Sequence, residues 1–71
     1  MKFDIYGRFQ LEVLREKGRW SVYRLSVGKR TPVHDFIIPP EVEPNEVARY
    51  LDDVLHESAS PGKSIRLLEQ T

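Results

Sequence analysis

Cysteine is absent from the 71 residues, which excludes a disulfide and any Cys-ligated metal. A chain this short lies near the lower limit at which one core suffices, so with no staple of that kind oligomerisation is the common remaining device. Long apolar runs are absent as well. The longest strongly apolar stretch is Phe36-Ile37-Ile38, far short of a membrane span. The first residues carry Asp4 and no extended apolar segment, unlike a secretory signal, and the cytoplasm is the expected location. The chain also has no net charge, with 11 Lys/Arg against 11 Asp/Glu, which weakens non-specific attraction to a polyanion.

That neutrality holds only in total. Residues 1–34 carry eight Lys/Arg and three Asp/Glu, a net +5, whereas residues 35–71 carry three and eight, a net −5. So sharp a division accompanies interaction surfaces.

From Phe3 to Val13 the odd positions read Phe3, Ile5, Gly7, Phe9, Leu11, Val13, the alternation of one strand with a buried face. Gly7 within it suggests a bulge or a close approach to the backbone. Glu16-Lys17-Gly18 suits a three-residue hairpin loop, which sets Val13 opposite Ser21 and Leu11 opposite Tyr23. Gly28-Lys29 closes a second hairpin, bringing Tyr23 opposite His34 and placing His34, Phe36 and Ile38 on the core side of an edge strand. Beyond Pro39-Pro40, Glu43 reads as an N-cap with Pro44 at N1 and Glu46 at N3. A helix follows with Val47, Tyr50, Leu51, Val54 and Leu55 on one stripe, stopped at Ser60-Pro61-Gly62. A last strand, Ser64 to Leu68, presents Ile65 and Leu67; with the third strand at an edge it returns beside the first, and a place beside the third is the rival topology. The expected class is α+β in the order β-β-β-α-β. It is a single domain over residues 1–71, a four-stranded, mostly antiparallel sheet with one helix packed on one face.

The phrases Phe3-Asp4-Ile5-Tyr6-Gly7-Arg8-Phe9, Trp20-Ser21-Val22-Tyr23-Arg24 and Tyr50-Leu51-Asp52-Asp53 resemble those of a family of short bacterial proteins of unknown function. The resemblance spans nearly the whole chain and implies a bacterial origin. It brings no activity, ligand or catalytic residue.

Chemistry-bearing motifs are sparse. Pro61-Gly62-Lys63-Ser64 ends like a phosphate-binding loop, but the earlier glycine is replaced by Glu57 and the order is helix then strand, so a turn is expected. Asp52, Asp53, His56 and Glu57 share a helical face on which a divalent ion or plain solvation would fit equally well in spacing; solvation with Arg49 pairing needs no further assumption. His34 and Asp35 are adjacent on a strand and point apart. The serines, Ser21, Ser26, Ser58, Ser60 and Ser64, show no base and orienting acid. No enzyme, cofactor or metal is expected.

In the register above, the open face of the sheet carries Tyr6, Arg8, Leu14, Trp20, Val22, Arg24, Val33 and Ile37. With the helix on the other face, its apolar members form a patch facing water, the mark of a partner. The expected function is protein interaction or self-association, with Trp20 as anchor and arginines as rim, and the partner is a protein or a second copy. The alternative is single-stranded RNA or DNA, stacked on Tyr6 and Trp20 with the basic hairpins on phosphates.

Overall fold

Parity of loop length decides this fold. In a computed structural model, which describes residues 1–58 and 61–70, the alternating segment that begins at Phe3 is two strands, β1 (Lys2–Ile5) and β2 (Phe9–Glu16). Tyr6 and Gly7 have φ of 54° and 71°, and Arg8 N–H donates to the Ile5 carbonyl at 2.9 Å. The Gly7 N–H donates to Asp4 Oδ2 at 3.0 Å. Ile5 then pairs with Phe9. Three loop residues keep the odd positions in phase, so a reversed chain and a continuous strand show the same periodicity.

The second loop changes the phase. Lys17 and Gly18, with φ of 51° and 75°, form a two-residue turn whose two left-handed residues match the twist of a hairpin. Glu16 therefore pairs with Arg19, and Val13 with Val22 rather than Ser21. This one-residue shift turns every side chain of β3 (Arg19–Ser26) to the other face. Trp20 and Val22 go inside, and Tyr23 and Leu25 go outside beside Glu12 and Gln10.

The next turn is Val27-Gly28, and β4 (Lys29–Pro32) pairs Ser26 with Lys29 and Tyr23 with Pro32, two residues away from the expected register. Pro32 ends the ladder. His34 is exposed and Phe36 half-buried, while Ile38 is buried on an irregular segment, so the expected strand through these three residues does not form.

The sheet has five strands in the order β4-β3-β2-β1-β5, all antiparallel, one more than the sequence pattern suggested. Strand β5 (Ile65–Glu69) returns beside β1, with Ile65 and Leu67 opposite Ile5 and Phe3. Between β4 and β5 the chain forms a 3-10 turn, Pro44–Glu46, and a helix, α1 (Val47–Val54). Glu46 accepts the Glu43 N–H at 3.1 Å, closing the N-terminus as the Glu43-Pro44-x-Glu46 spacing requires. Val47 and Leu51 of α1 meet Phe3, Ile5, Leu11, Val13, Trp20, Val22 and Ile38 in one core. The helix ends at Val54, short of the expected stop at Ser60-Pro61-Gly62, and a 3-10 turn, His56–Ser58, follows it; Val54, expected on the core stripe, is exposed. Ser60 lies outside the described residues, and Gly62, at φ 77°, lies in the turn before β5. Among the described residues no helix is long and apolar enough to cross a membrane.

Candidate functional site

The outer face of the sheet is not the apolar patch that a three-residue loop would create. It is crossed by ion pairs: Lys2 with Glu69 at 3.3 Å, Asp4 with Arg66 at 3.9 Å, and Glu12 with Arg30 at 2.8 Å. Arg30 also lies 4.6 Å above the Tyr23 ring, whose hydroxyl donates to Glu16 at 3.4 Å. Of the eight residues expected on that face, Leu14 alone from β2 and β3 remains there, half-buried.

Tyr6 is a turn residue, 3 % exposed, and its hydroxyl donates to Asp52 of α1. Burial, reinforced by that carboxylate, pushes the phenol from its ordinary 10.0 up to about 12. Trp20 is 9 % exposed, and its indole N–H donates to the Val42 carbonyl at 2.9 Å. With both rings packed inside, neither presents the face on which a nucleic-acid base would stack. Arg8 is exposed in the first turn. Arg24 lies on the core-facing side, 4.5 Å over the Phe9 ring. The functional surface expected from Tyr6, Arg8, Leu14 and Arg24 is therefore dispersed.

The remaining four converge. Trp20, Val22, Val33 and Ile37 line a cleft of about 580 Å³ between the β2–β3 hairpin and residues 33–40. Its far wall has no ladder, yet two hydrogen bonds fix it, Val33 N–H to the Val22 carbonyl at 2.9 Å and Tyr50 Oη to the Ile37 carbonyl at 2.9 Å, and the Trp20 bond to Val42 holds the chain just beyond it. The backbone at Ile37 is thus held while its side chain stands 77 % exposed. A short aliphatic side chain fixed in water beside a concavity offers apolar area at little entropic cost to whatever covers it.

Sequence reasoning missed Phe36 and Pro40 on the cleft wall and Lys17 and Arg19 on its lip. A readable signal existed: three consecutive apolar residues followed by Pro39-Pro40 cannot all be buried on an alternating strand. Lys17 and Arg19 make no ion pair with the described residues, unlike Lys2, Arg30 and Arg66. Arg15, beside them, lies 4.7 Å over the Trp20 ring. Among the described residues no group of three His, Asp or Glu is placed to hold a metal ion, and the Asp52 carboxylate is occupied by Tyr6.

The chain is thus a small α+β domain, an antiparallel meander with one helix across it and a braced cleft at the hairpin tip. It belongs to the family described as Domain of unknown function (DUF7661), whose model matches residues 1–69. No curated protein and no solved structure matches it.

Proposed function

We propose that this domain is a non-enzymatic protein-interaction module of the cytoplasm. It holds an extended segment of another protein in the cleft between the β2–β3 hairpin and residues 33–40. The observation that carries this reading is Ile37, an exposed apolar side chain on a backbone braced by Tyr50. Phe36, Val33 and the edge of Trp20 complete an apolar floor, and Lys17, Arg19 and His34 stand at the rim against one acid, Glu16. The occupant with matching chemistry has an aliphatic or aromatic anchor flanked by carboxylates. A partner of that kind also uses the charge division seen in the sequence, since the lip belongs to the basic half.

Selection of a displayed peptide library against the domain, with Ile37→Asp as counter-target, tests this reading. Peptides with an apolar anchor and acidic flanks should be enriched, and their binding should change the fluorescence of Trp20, the single tryptophan. Enrichment that survives Ile37→Asp, or binding that leaves Trp20 emission unchanged, overturns it.

A further inference from the structure

The two edges of the sheet are defended unequally. Strand β4 consists of Lys29, Arg30, Thr31 and Pro32, all exposed, and lysine and proline on an edge discourage another strand from pairing there. Strand β5 carries neither lysine nor proline, and one bulge is its main interruption. Its outer edge pairs with no strand among the described residues, and Leu67 and Leu68 are 45 % and 42 % exposed. Beside it, on the helix side, a mostly apolar groove of about 370 Å³ is lined by Met1, Phe3, Pro44, Ala48 and Leu67, with the polar Asn45 and Gln70.

We propose that β5 pairs antiparallel with β5 of a second copy, joining two sheets into one of ten strands. The sequence of the edge selects this occupant. Arg66-Leu67-Leu68-Glu69 reads charge, apolar, apolar, opposite charge, so an antiparallel copy sets Arg66 against Glu69 of the second copy and Leu67 against Leu68, each twice by symmetry. Arg66 and Glu69 pair across β1 with Asp4 and Lys2, alternate residues of one strand, and therefore face the same side of the sheet. Opposed residues in an antiparallel pair also share a side, so the two charges meet. Leu68 is the extra residue where the β1 register shifts, which keeps Glu69 on the outer face with Arg66 despite the odd spacing. The two-fold axis then runs through the sheet, placing both α1 helices on one side and the second copy's Leu68 over the mouth of the groove. Five-residue edges bury less than a permanent dimer needs, so the dimer should dissociate on dilution.

Sedimentation of the full chain from low to high micromolar concentration tests this, with circular dichroism to confirm folding. The natural chain should dimerise. Arg66→Glu or Glu69→Arg alone opposes like charges twice and should weaken the dimer on the order of tenfold or more. The double exchange restores opposite charges across the interface, while within each copy it sets like charges against Asp4 and Lys2, and it should dimerise again. An equimolar mixture of the two single variants should form the heterodimer. A natural chain that stays monomeric, single variants that dimerise as well as it does, or a folded double variant that stays monomeric overturns the proposal. Ile37→Asp leaves sedimentation unchanged, so this outcome is independent of the cleft.

Discussion

Replacement of Trp20 separates a core residue from a surface anchor. The indole is 9 % exposed, stacked under Arg15 and hydrogen-bonded to Val42. Trp20→Ala removes a large buried ring, a loss of about 3–5 kcal/mol, and leaves the Val42 carbonyl without its donor, about 1 kcal/mol more. A domain of this length has roughly 4–10 kcal/mol of total stability, so the alanine variant should lose from about two fifths of it to all of it. Trp20→Phe keeps most of the apolar volume and gives up the N–H, a loss of about 1–2 kcal/mol. With a urea dependence near 1 kcal/mol per M for a small domain, its midpoint should fall by about 1–2 M. Urea titrations followed by far-ultraviolet circular dichroism measure both variants without needing the fluorophore. An alanine variant that unfolds at the midpoint of the natural chain would place the ring on an open face and refute the two-residue register.

Tyr6→Phe deletes the bond to Asp52 and should lower stability by about 1 kcal/mol. The phenol is held neutral in the fold, with its pKa raised from 10.0 to about 12, so its contribution is complete below pH 10 and is lost as pH rises through 12. Stability of the natural chain should therefore fall more steeply over that window than that of Tyr6→Phe, and the ultraviolet phenolate band should titrate late. Gly18→Ala meets no atom within 4 Å, so its cost is the left-handed φ of 75° alone, about 1 kcal/mol in denaturant titration, while Lys17→Asn should stabilise by a few tenths. Tyr50→Phe releases the Ile37 carbonyl; calorimetry with a selected peptide should show weaker binding, with a loss of stability no larger than about 1 kcal/mol.

The helix start was legible because the Glu43-Pro44-x-Glu46 spacing marks a chain reversal into a helical turn, although that first turn is 3-10. Of the stripe Val47, Tyr50, Leu51, Val54 and Leu55, all but the exposed Val54 pack toward the core. Pro32 marked β4 as an edge, and the return of the last strand beside the first, rather than beside the third, followed from that edge. The hairpins were not legible from periodicity. Across Tyr6-Gly7-Arg8 an odd loop leaves the pattern unchanged, and the clue lay instead in a glycine inside an alternating run. At Lys17-Gly18 the pattern could not choose, because β3 is apolar on both faces: Trp20 and Val22 on one, Tyr23 and Leu25 on the other. Packing settles the choice by giving Trp20 a carbonyl partner and Tyr23 a cation, an arrangement reaching across to Val42 and Arg30. The same shift moved the candidate site from the sheet face to the cleft, and with it the role of the basic residues. Arg15, Arg24 and Arg30 cap aromatic rings of their own chain, and Lys17 and Arg19 are left at the lip.

Amide and indole shift mapping of the isotope-labelled domain with a selected acidic, apolar peptide reports most directly where a partner sits. Changes should gather at Lys17, Arg19, the Trp20 indole and residues 33–38. Changes centred instead on Glu12, Tyr23, Leu25 and Arg30 would place the interaction on the outer face of the sheet and contradict the cleft.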